Sequence, residues 1–296
     1  MVVLVTGANG QLGQSIQFIA GNYPDIQFIF CSSSDLDITN KDNCEKVFSQ
    51  SKPDFCINAA AYTAVDKAET ETEKAHFINV IGAKNLAEVC KYFGTTLLHI
   101  STDFIFDGNK SIPYAEEDAT NPQSVYGQTK LDGEKAIREV LDNYFIIRTS
   151  WVYSQFGNNF MKTILRLAKE RTSLSIVSDQ IGTPTNAVDL AEAILKIVES
   201  QKSKTKKETT NTQHPTPNTQ FGIYNFSNYG ECSWYDFAKK IVEINNINID
   251  LQPIPTTSYP TPAQRPKYSV LDKSKIKTVF GIDIKSWEES LRTLVI

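Results

Sequence analysis

The feature that most restricts what this chain can fold into lies at its start. Met1-Val2-Val3-Leu4-Val5-Thr6 is a short apolar run that passes without a break into Gly7-Ala8-Asn9-Gly10-Gln11-Leu12-Gly13. A run this apolar reads as a strand buried on both faces, the kind found in parallel sheets covered by helices. The evenly spaced glycines meet three needs of a dinucleotide site: a tight turn, close approach of backbone to a pyrophosphate, and close packing of the helix that follows. After them, Leu12, Ile16 and Ile19 repeat at the helical period, so the helix would aim its first amides at the phosphates. A glycine run alone is often only a turn; the strand before it and the helix after it supply the context a dinucleotide site requires.

Short apolar runs then alternate with longer helical patterns. Candidate strands are Val2–Thr6, Gln27–Cys31, Asp54–Asn58, Thr96–Ser101 and Tyr144–Arg148, with helical segments near 11–20, 41–51, 71–93 and 126–141. Such alternation makes βαβ units and a parallel sheet with helices on both faces. Past residue 150 the pattern loosens, with helices near 159–170, 187–199 and 234–245 and strands Leu174–Val177 and Gly222–Phe226. The expectation is an α/β protein. A doubly wound parallel-sheet Rossmann domain spans 1–152 and is rejoined by 184–228; a smaller, discontinuous C-terminal α/β substrate domain is built from 153–183 and 229–296. Within this, 200–220 carries Lys202, Lys204, Lys206 and Lys207 and then a Thr/Asn/Pro-rich run that buries too little surface to offset its ordering entropy, so a mobile insertion loop is expected.

Composition narrows the class. With 296 residues, 41% of them hydrophobic, the chain can bury a large core, and its net charge of −4 argues against nucleic-acid binding, which rests on a basic surface. No apolar run approaches membrane-spanning length and no signal-peptide pattern opens the chain, so a cytoplasmic protein without a membrane partner is expected. Cys31, Cys44, Cys56, Cys90 and Cys232 form no C-x-x-C pattern and read as reduced core thiols. His76, His99 and His214 are too scattered for a metal site, and His99 reads as a strand residue with a satisfied ring.

The reactive residues sit in Ser124-Val125-Tyr126-Gly127-Gln128-Thr129-Lys130, where Tyr126 and Lys130 are one helical turn apart on one face. A phenol that protonates a carbonyl oxygen near neutral pH works better if a nearby cation lowers its pKa from about 10. The bland alternative is a solvated helix face. Ser101-Thr102-Asp103 closes a candidate strand, so the Thr102 hydroxyl lies where ligands bind in open α/β sheets; a hydroxyl and a phenol converging on one oxygen would stabilise the charge that develops as hydride arrives. The lesser alternative for Thr102 is a turn cap. Asn58-Ala59-Ala60-Ala61 ends another strand with side chains small enough for backbone to lie against a flat cofactor.

With the glycine loop, Thr102, Tyr126 and Lys130 in this order, the chain resembles the extended short-chain dehydrogenase/reductases. Within them it is similar to the dTDP-4-dehydrorhamnose reductase family. The resemblance runs through Val65-Asp66-Lys67-Ala68-Glu69, Phe106-Asp107-Gly108, Arg148-Thr149-Ser150-Trp151-Val152-Tyr153, Gly157-Asn158-Asn159-Phe160, Gly182-Thr183-Pro184-Thr185 and Pro260-Thr261-Pro262-Ala263-Gln264-Arg265-Pro266, while 200–220 looks like an insertion. It implies that Tyr126 donates the proton, Lys130 tunes it and binds the nicotinamide ribose, and Thr102 polarises the C4 carbonyl of a nucleotide sugar. It implies a cofactor site of Gly7, Asn9, Gly10, Gln11, Leu12, Gly13, Ser32, Ser33, Asp37, Ile38, Ala59, Ala60, Ala61 and Thr63 with Tyr126 and Lys130. The implied substrate site is Thr102, Asp103, Val65, Tyr126, Trp151, Asn159 and Arg265, the arginine near the phosphates.

The cofactor expected is NADPH, with NADH accepted to some degree, because Cys31-Ser32-Ser33-Ser34 places hydroxyls where an NAD-selective site usually has a carboxylate. Some relatives are magnesium-linked dimers through glutamates; Gln14-Ser15-Ile16 and Asn186-Ala187-Val188-Asp189 offer no obvious match, so no metal requirement and a monomer or weak homodimer are expected. Dehydratase relatives carry Thr-Asp-Glu where Phe104 follows Asp103 here, which disfavours elimination. The resemblance therefore implies reduction of the C4 keto group of dTDP-4-dehydro-6-deoxy-L-mannose to dTDP-L-rhamnose. The alternatives are another nucleotide-sugar reductase or epimerase, and a non-catalytic subunit like the regulatory subunit of methionine adenosyltransferase.

Overall fold

The computed structural model describes residues 1–205 and 220–294. Its centre is a sheet of six strands, all parallel: β1 (Val2–Thr6), β2 (Gln27–Cys31), β3 (Phe55–Asn58), β4 (Thr96–Thr102), β5 (Tyr144–Thr149) and, returning late in the chain, β10 (Gly222–Asn225). They lie in the order β10-β5-β4-β3-β1-β2, so the chain leaves β1 toward one edge and β3 toward the other. Ligands bind at such a reversal, beyond the carboxyl ends of the strands. The expected strands are all present to within a residue or two, and Gly222–Asn225 does pair with β5.

Alternate residues of these strands feed two cores. Val3, Val5, Ile57, Leu98, Phe145 and Ile147 pack against Leu12, Ile16 and Ile19 of α1 (Gln11–Ile19) and Leu190, Ile194 and Val198 of α8 (Ala187–Thr205). On the other face Leu4, Cys56, Leu97 and Ile146 meet Phe48 of α2 (Lys41–Ser51), Leu86 and Cys90 of α5 (Gly82–Phe93) and Ile137 of α6 (Val125–Val140). All five cysteines are free and buried. Between β3 and α5 run α3 (Val65–Ala68), α4 (Thr72–His76) and a π-helical stretch, Phe77–Ile81. The sequence predicts one helix over 71–93. The wider turn instead brings the Asn79 side chain inward, where it accepts from the Tyr62 N–H at 2.9 Å and donates to the Tyr62 carbonyl and to Thr129 Oγ1, each at 3.1 Å.

A third core lies beyond β5. Tyr153, Met161, Ile164, Leu174, Ile176, Phe237, Ile241, Trp287 and Leu291 bind together β6 (Val152–Tyr153), α7 (Phe160–Glu170), β7 (Ser173–Val177), α9 (Trp234–Ile244) and α11 (Trp287–Arg292). Its strand pairs are small: β8 (Ile181–Gly182) with β11 (Cys232–Ser233), β6 with β9 (Thr185–Asn186), and β7 with β12 (Asp250–Ile254). Helix α10 (Ser274–Phe280) returns to the first core through Ile276 and Phe280. The sequence reading missed β12, α10 and α11. It also ended α8 too early: the helix runs through Thr205, so the expected loop of 200–220 begins as helix, and its remainder, 206–219, lies outside the described residues.

Candidate active site

The glycine turn follows β1 directly. Gly7 sits at φ +64°, and a Cβ there would lie 2.7 Å from the Ala59 carbonyl carbon and the Ala60 nitrogen. A Cβ on Gly13 would strike the Gly7 oxygen and come within 2.7 Å of Ala8 Cα. Gly10 caps α1 with no side chain of its own, which leaves the helix N-terminus open to an anion. This cradle, lined by backbone and by the half-buried Ala59, Ala60 and Ala61, has the shape a pyrophosphate requires. Asn9 and Ser33 are exposed beside it. Ser32 faces the same edge, but its hydroxyl donates to Asp35 at 2.6 Å, so a carboxylate the sequence reading did not weigh stands among the serines. Asp37 accepts from the Thr39 N–H and hydroxyl at 2.9 and 2.7 Å. Ile38 belongs to the core and meets Gly82, while Thr63 is exposed and Val65 half-buried at the start of α3.

The end of β4 and the start of α6 carry the groups expected from the sequence to be reactive. Ser124 caps α6 by accepting from the Gly127 N–H at 3.1 Å, and Gly127 lets the helix pack against the Phe104 carbonyl. Tyr126, half-buried, packs edge-on to Phe104 with ring centroids 5.5 Å apart, and the Thr102 hydroxyl acts on its phenol. Thr102 is buried; its hydroxyl accepts from the Phe104 N–H at 3.2 Å and lies 3.1 Å from Asp103 Oδ1. The turn-cap reading of Thr102 is thus realised, and the same side chain lies beside Tyr126. Burial pushes the Asp103 carboxyl up to about 6, against the pull of the Ser269 and Thr102 hydroxyls. Its Oδ2 makes no hydrogen bond among the described residues.

Lys130 departs from expectation. Its side chain is 2% exposed and is turned toward β4, donating to the Ile100 carbonyl at 2.6 Å and lying 3.1 Å from His99 Nε2. Burial lowers its pKa to about 8, partly offset by Glu134. Burial also raises the Tyr126 phenol to about 12, Asp103 adds to the rise, and only the Thr102 hydroxyl draws it down. The predicted pull of Lys130 on the phenol is therefore not seen in this arrangement, because the amine is engaged on β4. His99 has the satisfied ring expected of it.

Behind these residues lies a charge pair the sequence reading missed. Arg148 donates to Glu134 through Nε at 3.1 Å and Nη2 at 2.8 Å, with side chains 3% and 1% exposed. Ser101 donates to the same carboxylate at 2.5 Å, Arg148 Nη1 reaches the Glu116 carbonyl at 2.9 Å, and the guanidinium lies over the Phe106 ring. The cluster joins β5, α6 and the residue preceding Thr102.

The remaining expected residues line the other side. Trp151, at φ +46°, stacks on Trp234 with centroids 3.5 Å apart, and a Cβ on Gly182 would meet its ring at 2.6 Å. A bulky residue with positive φ is strained and persists only where its surroundings over-determine it. Asn159 caps α7 and donates to Gln11 Oε1 at 2.9 Å, while Gln11 Nε2 reaches the Val152 carbonyl at 3.3 Å. The glycine loop is thus tied to the third core. Arg265 forms a bidentate pair with Asp66 at 2.8 and 3.0 Å and also donates to the Ala263 carbonyl. Among the described residues no group of three His, Cys, Asp or Glu side chains could hold a metal ion.

Comparison with known proteins extends the resemblance over the whole chain. The model of the RmlD substrate binding domain matches residues 1–296. A dTDP-4-dehydrorhamnose reductase from Sinorhizobium fredii is 40% identical over 299 residues, covering 100% of this chain and 97% of its own. The crystal structure of a dTDP-4-dehydrorhamnose reductase from Clostridium acetobutylicum superposes with a TM-score of 0.90 at 41% identity, covering 99% of this chain and 98% of its own. That of the Bacillus anthracis enzyme, in complex with NADP, also gives 0.90, at 38% identity and the same coverage.

Proposed function

The chain belongs to the family defined by the RmlD substrate binding domain, and from that premise we propose that it reduces the C4 keto group of dTDP-4-dehydro-6-deoxy-L-mannose with NADPH to give dTDP-L-rhamnose. It is an NADP-dependent oxidoreductase of dTDP-rhamnose biosynthesis. The observation that carries the site assignment is the placement of buried Thr102 at the end of β4 beside Tyr126 on the first turn of α6, with Lys130 one turn further along α6 and the glycine cradle at the neighbouring strand end.

NADPH fits the residues present: the space a Cβ would fill at Gly7 and Gly13 is what a pyrophosphate needs, and Gly10 leaves the helix amides open. When bound, the coenzyme supplies hydride. The protein's part is protonic and electrostatic. Tyr126 holds the proton that the carbonyl oxygen receives, and its high pKa keeps it protonated at neutral pH. The Thr102 hydroxyl donates to the same oxygen as negative charge develops there. Lys130 binds the nicotinamide ribose. Trp151 offers a flat apolar face to the sugar nucleotide, and Arg265, which keeps N–H groups beyond those used by Asp66 and Ala263, faces its phosphates.

In this reading 1–152 and 184–228 form the coenzyme domain and 153–183 with 229–296 the substrate domain; the separate third core supports the division, except that α10 with Ile282 and Ile284 packs on the first core. The protein works in the cytoplasm as a monomer or weak homodimer and requires no metal. No helix among the described residues is long and apolar enough to cross a membrane. The test is loss of NADPH absorbance with the 4-keto nucleotide sugar, for wild type and Tyr126→Phe. Turnover should fall by about 10² or more while coenzyme affinity holds, and a phenylalanine variant within a few-fold of wild type would remove Tyr126 from the mechanism.

A further inference from the structure

Strand register sets Thr6 beside Asn58 and Asn58 beside His99, so β1, β3 and β4 each contribute one polar side chain to a single row, which ends at Lys130. All four residues are buried, at 0%, 1%, 1% and 2% exposure. Thr6 Oγ1 donates to Asn58 Oδ1 at 2.7 Å, Asn58 Nδ2 lies 2.9 Å from His99 Nδ1, and His99 Nε2 lies 3.1 Å from Lys130 Nζ.

The far end of the row decides the direction of these bonds. The Ala60 N–H, which can only donate, points at Asn58 Oδ1 at 3.2 Å and at Thr6 Oγ1 at 3.3 Å. Turning the Asn58 amide over would set its NH2 against that N–H, so the oxygen belongs there and the nitrogen faces His99. An amide nitrogen donates only, so His99 Nδ1 accepts. Burial holds the His99 pKa well below 6.5, so the ring is neutral and carries its one hydrogen on Nε2. That hydrogen points at Lys130 Nζ. An ammonium has no lone pair to receive it; an amine has one, and still has hydrogens for the Ile100 carbonyl.

We propose that His99 is a positioning residue that biases the charge of Lys130: its Nε2–H favours the free amine over the ammonium, and in alkaline solution binding of NADPH brings a proton from solvent to that amine, breaking the His99 bond. The proposal rests on the assignment of Lys130 to the coenzyme. Protonation and release from His99 are then one event, because a charged Lys130 cannot accept. The ionised phosphates of the coenzyme favour the ammonium. Burial favours the amine in their absence, bringing Lys130 to about 8 against the opposing pull of Glu134 on its own helix. The other groups around α6 are accounted for. Arg148 on β5 is paired with Glu134, Asp103 acts on Tyr126, and Glu69 beyond α3 accepts from the Val125 N–H. Helix α4 meets Tyr126 through Ala75, and α5 and the π turn present Ala83 and Asn79.

The test is calorimetric titration of NADPH into the protein near pH 9, in buffers of different ionisation enthalpy. Phosphates are fully ionised there and exchange no protons. Wild type should take up about one proton per coenzyme bound. Lys130→Met should lose the uptake and bind about tenfold more weakly or worse. Asn58→Asp replaces the donor by an acceptor, moves the His99 hydrogen to Nδ1 and leaves Lys130 charged, so uptake should fall below about half of wild type. Wild type without uptake, while Lys130→Met weakens binding, overturns the proposal and leaves the coenzyme assignment standing; unaltered binding by Lys130→Met overturns both. If Asn58→Asp does not fold, wild type against Lys130→Met decides.

Discussion

Glu134→Gln changes one atom type in a place where charge is paired and dry. The carboxylate receives two Arg148 N–H groups, at 3.1 and 2.8 Å, and the Ser101 hydroxyl at 2.5 Å, and both charged side chains are at most 3% exposed. The glutamine keeps one acceptor but sets an NH2 against donors and leaves the guanidinium without a counter-charge. Removing one partner of such a pair costs about 3–5 kcal/mol, a large share of the 5–15 kcal/mol that holds a typical protein folded. Arg148→Met with Glu134→Gln removes the stranded charge, so the double variant should be at least about 2 kcal/mol more stable than the sum of the single losses predicts. Urea unfolding at neutral pH, followed by circular dichroism, measures all four proteins. Turnover should fall too, because Ser101 precedes Thr102 and Lys130 lies one turn before Glu134. A Glu134→Gln protein within 1 kcal/mol of wild type, or strictly additive losses, would refute the view that this pair pins β4 to α6.

Thr102→Val keeps the shape but loses the hydroxyl, and should lower turnover by about 10²–10³ with coenzyme affinity unchanged; a few-fold loss in steady-state assays would leave Thr102 only its turn-capping role. Asp103 is a pH prediction. Its folded pKa of about 6 stands above the ordinary 3.8, so the stability it contributes is complete below about pH 4 and is lost as pH rises through 6. Asp103→Asn should therefore gain on wild type by about 3 kcal/mol between pH 4 and pH 7. Melting curves at several pH values would show it, and a difference that does not change with pH would contradict the burial argument.

Most of the sheet was legible because strands covered by helices on both faces carry apolar runs, as residues 2–5, 28–31, 55–57, 97–98 and 145–147 do, with the polar residues gathered toward the strand ends. What escaped notice lacked that requirement. Strand β12, Asp-Leu-Gln-Pro-Ile, pairs among the described residues only with β7 and leaves three of its residues exposed, so nothing forces an apolar pattern, and Pro253 argues against a strand. The π turn at Phe77–Ile81 escaped for another reason: one residue of extra turn hardly alters the apolar period, and only the partners of Asn79 reveal it.

The placement of the candidate reactive residues was legible where their relation is local, as in the one-turn spacing of Tyr126 and Lys130 or the strand-end position of Thr102. Their regulation was not, because it depends on which strands lie side by side. His99 reaches Lys130 across 31 residues, Asn159 reaches Gln11 across 148, and Arg265 reaches Asp66 across 199. In each case a side chain that a motif assigns to the ligand is also spent within the protein, and the geometry says how it can serve both. The Arg265–Asp66 pair shows the logic. Its hydrogen bonds hold the Asp66 carboxyl below the usual range, so the pair persists at neutral pH and no proton opens it. The carboxylate fixes the plane of the guanidinium, and the N–H groups it leaves unused remain for phosphate oxygens. Asp66→Asn should therefore leave Arg265 charged but unaligned, and raise the KM for the nucleotide sugar more than it lowers kcat. A loss confined to kcat would place the pair with the chemistry instead.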